Sequence, residues 1–164
     1  MNINEMKILS VFNETNPLLT IKEYTESFSL NIDRFTQTKE ALLSSKNIKY
    51  DLLIVEHTPS KLDGVEFLKA FRHLHRETPV LILIESNDIS LQEKAIKQGA
   101  FDVVCKPLSP VLFQAKVQNV LTQTKAKTLV DNRAIHLQDE IQNATKVLKN
   151  SEYELLEILG KTTN

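Results

Sequence analysis

Short apolar runs alternate with amphipathic segments over the first two thirds of the chain. The apolar runs have the length of β-strands and cover residues 8–12, 30–32, 52–55, 80–84 and 103–105. The third and fourth runs are apolar at every position, which is typical of central parallel strands covered on both faces. The segments between the runs show helical spacing and cover residues 18–28, 39–45, 65–73 and 91–99. Asp63 and Ser90 are predicted helix N-caps, and Gly99 is a predicted C-cap.

Strands that alternate with helices predict a parallel sheet with helices on both faces. The five repeats therefore predict an α/β domain with a five-stranded doubly wound parallel sheet over residues 1–120. In such sheets, ligands bind beyond the carboxyl ends of the strands. We therefore expect the functional residues directly after the apolar runs.

The rest of the chain has the pattern of one long helix. All glycines and prolines lie outside residues 111–159, so a helix can run from about Pro110 to a stop at Gly160, on the order of 70 Å. Its apolar residues fall into one heptad register, with Val120 as an early a position. The predicted seam contains Val130, Ala134, Leu137, Ile141, Ala144, Leu148, Leu155 and Ile158. Residues 121–164 are thus predicted to form a coiled-coil helix.

A helix with an exposed apolar stripe needs a partner in water. We expect a homodimer through the C-terminal helix, with a parallel arrangement favoured over an antiparallel one. The alternative is a helix that folds back on its own domain, although its length exceeds what one face of the domain covers.

Composition narrows the class of protein. Of the 164 residues, 41% are apolar and 25% are charged, and the net charge is −1. Acids and bases are interspersed, so the basic stripe of a nucleic-acid-binding protein is absent from the sequence. No apolar run approaches the roughly 20 residues of a membrane span. Cys105 is the only cysteine and no leader pattern is present. These features favour a cytoplasmic protein without nucleic-acid or membrane partners.

Four strings in register resemble the receiver domain of two-component response regulators. They are YDLLIVE at 50–56, LDGVEFL at 62–68, TPVLIL at 78–83 and GAFDVVCKP at 99–107. The resemblance implies an acidic pair after strand one, a phosphoacceptor aspartate after strand three, a hydroxyl side chain ending strand four and a lysine ending strand five. The matching residues here are Phe12 and Asn13, Glu56, Ile84 and Lys106. Only the lysine follows the family pattern.

These departures predict a receiver that has lost phosphoryl transfer. Phe12 and Asn13 remove hard oxygen ligands that magnesium requires, so we expect no metal and no cofactor. Without the metal, the main electrostatic stabilisation of phosphoryl transfer is lost. Glu56 carries its carboxylate one methylene too far for well-placed attack. Ile84 has no hydroxyl with which to draw a switch loop toward a phosphoryl group.

Several alternatives stay open at this stage. Since adjacent strands carry Glu56 and Lys106, we expect their charged groups within salt-bridge reach; the pair is either purely structural or a mimic of added negative charge. Asn13 and Glu14 could still offer a few oxygens to a cation. His57 is expected to be a solvated side chain rather than a phosphoacceptor.

The last 14 residues, 151–164, resemble the helix that leads into HD-GYP cyclic-di-GMP phosphodiesterase domains. Diguanylate cyclases use similar connectors. The first functional hypothesis is a regulatory and dimerisation module that cannot be phosphorylated. It would control an output domain that is missing from this chain and that acts in cyclic-di-GMP turnover. The second is a free-standing dimeric adaptor for a protein partner. The third, an enzyme using Glu56, Lys106 and His57, ranks last because no nucleophile and base pair is evident.

Overall fold

The computed structural model describes residues 5–13, 31–85, 87–106 and 109–162. Within these ranges the chain forms five strands and four helices. The strands are β1 (Lys7–Val11), β2 (Asn31–Phe35), β3 (Leu52–His57), β4 (Val80–Ile84) and β5 (Asp102–Cys105). The helices are α1 (Thr38–Asn47), α2 (Gly64–Leu74), α3 (Ile89–Lys97) and α4 (Pro110–Thr162).

All five strands are parallel and form one sheet in the order β2-β1-β3-β4-β5. The central strand β3 pairs with β1 on one side and with β4 on the other. This arrangement confirms the predicted five-stranded parallel α/β fold and places the last residues of β3 near the ends of both neighbouring strands.

The two faces of the sheet bury two separate hydrophobic clusters. Successive side chains of a strand point to opposite faces, so Leu53 and Val55 pack with α1, α2 and α3, while Leu52 and Ile54 pack on the other face. The second cluster includes residues from the start of α4: Phe113, Val117, Val120 and Leu121. Every residue of β4 is buried, as its uniformly apolar sequence predicts.

Helix boundaries match the sequence pattern in part. Asp63 caps α2, and its carboxylate accepts a hydrogen bond from the Glu66 amide. The predicted N-cap Ser90 is wrong, because the helix begins earlier and Asp88 accepts the bond from the Leu91 amide at 3.2 Å. Gly99 follows α3 with φ of +103°, a left-handed conformation that glycine adopts without steric cost. The predicted helix at residues 18–28 lies outside the described residues.

Helix α4 has 53 residues and contributes to both compact units of the chain, residues 1–125 and 126–164. Val120 is buried in the first unit, so its assignment to the coiled-coil seam is wrong; the sheet is its packing partner. The helix ends at Thr162, close to the predicted stop at Gly160. A Cβ at Gly160 would meet no atom within 4 Å. No helix in the described part of the chain is both long and apolar enough to cross a membrane.

Candidate functional site at the carboxyl end of the sheet

Glu56 is a buried acid close to the end of the central strand. It is the fifth of six residues of β3, and only 1% of its surface is exposed. Burial of an ionised carboxylate costs free energy unless hydrogen bonds and an opposite charge compensate. The surroundings of Glu56 supply both.

Each carboxylate oxygen of Glu56 has a donor. The Lys106 ammonium donates to Oε1 and forms an ion pair with it, and the side chain of Lys106 is only 6% exposed. The Asn13 backbone amide donates to Oε2 at 3.0 Å. Because Asn13 follows β1 and Lys106 follows β5, Glu56 joins the ends of three strands. The predicted contact between Glu56 and Lys106 is confirmed.

The Lys106 backbone is also held at this edge of the sheet. Its amide donates to the Ile84 carbonyl at 2.8 Å, which extends the pairing between β4 and β5. Ile84 itself is fully buried in the cluster beneath α1, α2 and α3. At the position where the family pattern has a hydroxyl, the structure therefore places an apolar core side chain.

Phe12 directly follows β1 and also contributes an apolar side chain. Its ring is 9% exposed and belongs to the cluster on the α4 face of the sheet, while its amide donates to the Phe35 carbonyl at 3.0 Å. Phe12 thus contributes apolar packing, and its neighbour Asn13 contributes a backbone donor to Glu56. The role of the Asn13 amide was not evident from the sequence, because side-chain identity does not reveal where a backbone donor points.

Helix α2 starts directly beside this site. A Cβ at Gly64 would lie 2.5 Å from the Glu56 carbonyl oxygen, so only glycine permits the observed approach of the helix to β3. His57 Nδ1 lies 3.5 Å from Asp63 Oδ1, and the His57 side chain is 14% exposed. The expectation of a solvated His57 is therefore wrong, because most of its side-chain surface is buried.

Among the described residues, no group of three or more His, Cys, Asp or Glu side chains could hold a metal ion. Glu14, a candidate oxygen donor, lies outside the described ranges. His73 and His75 lie at the end of α2 and just after it, away from Glu56.

The predicted seam residues of α4 form an exposed stripe in the single chain. Their exposed fractions run from 49% at Leu137 to 66% at Val130 and Leu148. Ala134 and Ala144 are exposed as well.

Comparison with known proteins identifies the fold and the sequence family. The model of the response regulator receiver domain matches residues 8–118. The transcriptional regulatory protein QseB of Haemophilus influenzae is 30% identical over 138 residues, which cover 77% of this chain and 61% of QseB. The cyclic di-GMP phosphodiesterase response regulator RpfG of Xanthomonas campestris is 25% identical over 134 residues, covering 80% of this chain and 35% of RpfG. The chain thus spans about three fifths and about one third of these two relatives.

Solved structures agree with this result. The receiver domain of response regulator 1452 from Francisella has a TM-score of 0.64 and 25% identity, covering 73% of this chain and 98% of that domain. A receiver domain from Clostridium thermocellum has a TM-score of 0.65 at 24% identity, covering 74% of this chain and 98% of the other. The second similarity concerns the fold alone.

Proposed function

Because the chain belongs to the response regulator receiver family, we propose that it is a receiver-type regulatory and dimerisation module that works without being phosphorylated. The observation that carries this proposal is the environment of Glu56. The residue at the phosphoacceptor position is buried, and both of its carboxylate oxygens already accept hydrogen bonds.

The donors at Glu56 oppose an attack on a phosphoryl donor. An attacking carboxylate oxygen must approach phosphorus in line with the leaving group. Here Lys106 and the Asn13 amide each occupy one acceptor site of the carboxylate, and an exposure of 1% restricts the approach of a phosphoryl donor. The intact lysine, which would stabilise a phosphoryl group in the family pattern, instead neutralises Glu56.

The residues present also do not fit the magnesium ion that the family pattern implies. Magnesium requires near-octahedral oxygen ligands at about 2.0–2.1 Å. Phe12 offers a hydrocarbon ring that is packed in the core, and the Glu56 carboxylate is bound to an ammonium group. We therefore propose that neither metal nor cofactor takes part in the function of this domain.

The ion pair supports a single fixed state of the receiver. A phosphorylated receiver gains negative charge at the end of β3, and Glu56 supplies a permanent negative charge at that position, paired with Lys106. Ile84 provides no hydroxyl that could respond to a phosphoryl group. We propose that Glu56 and Lys106 hold one conformation, whether the charge acts as a mimic or only as a structural link.

Dimerisation through α4 is the second part of the proposal. The exposed stripe has the a and d spacing of a two-stranded coiled coil, and burial of each large apolar side chain contributes roughly 1.5–3 kcal/mol before the cost of association is subtracted. The leucine and isoleucine residues of the seam are 49–66% exposed in the single chain: Leu137, Ile141, Leu148, Leu155 and Ile158. We propose a parallel homodimer, since that arrangement places two copies of a following domain side by side.

The activity that this module controls is proposed by analogy with its relatives. RpfG is described as a cyclic di-GMP phosphodiesterase response regulator, and this chain covers about a third of it. We propose that the module controls an output domain in cyclic-di-GMP turnover. A free-standing dimeric adaptor for a protein partner is the alternative.

Intact-mass spectrometry after incubation with magnesium and acetyl phosphate tests the phosphorylation claim. We expect no added phosphate on the natural chain. The positive control restores the family pattern with the substitutions F12D, N13D, E56D and I84T; it should gain one phosphate if the fold is otherwise competent. A phosphate on the natural chain at Glu56 or a neighbouring side chain would contradict the proposal.

A further inference from the structure

A basic concave surface lies at the carboxyl ends of α2 and α3. It has a volume of about 460 Å³ and is lined by Lys69, Arg72, His73, Arg76 and Gln98. Helix α2 begins beside Glu56 at Gly64 and ends at Leu74. The basic surface therefore lies at the end of α2 that is far from Glu56, and it is separate from the receiver site.

The positive charges of this surface have no salt-bridge partner among the described residues. None of the five lining residues is acidic, and no ion pair of Lys69 or Arg76 occurs within the described residues. By contrast, Lys7, Lys106 and Lys116 each pair with a carboxylate. Since the whole chain has a net charge of −1, three permanent positive charges around one concavity form a local excess that attracts anions.

The Arg72 side chain lines the basic surface and is held in place by hydrogen bonds. Its Nη1 donates to the carbonyls of His75, Arg76 and Thr78 at 2.8–3.0 Å, and its Nη2 donates to the Gly99 carbonyl at 2.7 Å. These bonds connect the ends of α2 and α3. Carbonyl oxygens orient the guanidinium without cancelling its charge, so the cation is held in place before any ligand arrives.

The helix termini alone do not explain this arrangement. Cations in the last turn of a helix are stabilised by the negative end of its dipole, and Arg72 and His73 occupy the last turn of α2. Lys69, however, lies in the middle of that helix, and Arg76 lies two residues beyond its end. Their convergence on the same cavity is therefore not required for capping.

We propose that this basic surface binds a small anion that carries at least two phosphoryl groups. Arg76 offers a planar guanidinium fork and Lys69 a compact ammonium group, the two kinds of side chain that bind phosphate most strongly. The fork of Arg72 is engaged by backbone carbonyls, so Arg72 contributes its charge rather than direct hydrogen bonds. The concavity of about 460 Å³ is open to solvent, so charge and hydrogen bonds rather than enclosure would hold the ligand. Gln98 adds an amide that donates and accepts hydrogen bonds and suits a polar ligand.

Isothermal titration calorimetry of the full chain at low ionic strength tests this site, with inorganic pyrophosphate and ATP as separate probes. We expect saturable binding of one or both probes and at least about a tenfold loss of affinity in the double variant K69A/R76A, since it removes two charge-assisted hydrogen-bond donors. Lys69 and Arg76 are exposed, so the variant should keep its far-UV circular dichroism spectrum.

The matched control is the double variant K39A/K46A, which removes two exposed positive charges from α1. It should bind the probes as the natural chain does. The proposal is overturned if neither probe binds, if K69A/R76A binds as tightly as the natural chain, or if the control loses as much affinity, which would indicate a general charge effect. Binding of a glutamate-rich peptide without binding of either probe would assign the surface to a protein partner and also overturn it.

Discussion

Removal of one partner from the buried ion pair should destabilise the receiver strongly. Lys106→Met leaves the Glu56 carboxylate without its counter-charge at a position with 1% exposure. Glu56→Gln leaves the Lys106 ammonium, 6% exposed, without an anion. Breaking a buried pair in this way typically costs about 3–5 kcal/mol, because an uncompensated charge stays in a poorly solvated site.

The double variant E56Q/K106M should be more stable than either single variant. It removes both charges together, so the remaining cost is that of a buried glutamine NH₂ group without an acceptor, about 1–3 kcal/mol, rather than that of an uncompensated charge. The Asn13 amide keeps an acceptor in the glutamine carbonyl. A double-mutant cycle should therefore give a coupling free energy above about 2 kcal/mol, at the upper part of the range for residues in contact.

Urea denaturation followed by far-UV circular dichroism measures these free energies through the shift of the unfolding midpoint. The matched control is Lys116→Met, which breaks the Lys116–Asp102 pair whose side chains are 41% and 46% exposed. That variant should lose less than about 1 kcal/mol. Single variants of Glu56 and Lys106 that cost no more than this control would refute the reasoning that the buried pair fixes the receiver.

Two further predictions concern the fold around the sites. Burial and the hydrogen bond to Asp33 raise the pKa of Tyr50 from 10.0 to about 12. The folded state therefore holds the phenol proton more tightly than the unfolded chain does. The contribution of Tyr50 to stability should be full below pH 10 and fall as the pH rises towards 12. Urea titrations from pH 9 to 12 measure this loss, and it should become smaller in Tyr50→Phe. An unchanged loss in that variant would exclude the phenol as a source. Gly99→Ala should lower the free energy of unfolding by about 1–2 kcal/mol or more, because φ is +103° and the new Cβ would lie 2.9 Å from Arg72 Nε. The control Gly160→Ala, in an open part of a helix, should be neutral or slightly stabilising, and equal effects of the two substitutions would remove the steric argument.

The sequence predicted the central strands well because their signal is strong. Residues 52–55 and 80–84 are apolar throughout, and both segments lie inside β3 and β4. The edge strand β2 was predicted as 30–32 but covers Asn31–Phe35. Its sequence mixes polar and apolar residues, and an edge strand needs no continuous apolar run, so its extent depends on pairing with β1 rather than on local pattern.

The contact at the candidate site was predictable, but its full geometry was not. Strand order places Glu56 and Lys106 near each other, whereas the Asn13 amide reaches Glu56 only through the path of the chain after β1. The Arg72 bonds to four carbonyls were missed for the same reason, since their acceptors belong to loops brought together by tertiary folding. Val120 shows a limit of the heptad pattern. The periodicity does not tell whether a helix position faces a second helix or the sheet of its own domain.

The central claim, a receiver module that dimerises without a phosphorylation signal, is tested most directly by sedimentation equilibrium of the full chain with and without magnesium and acetyl phosphate. We predict a dimer at tens of micromolar under both conditions, and a monomer for the variant I141D/L148D, in which two exposed seam residues become charged. A natural chain that is monomeric without acetyl phosphate and dimeric with it would contradict the account.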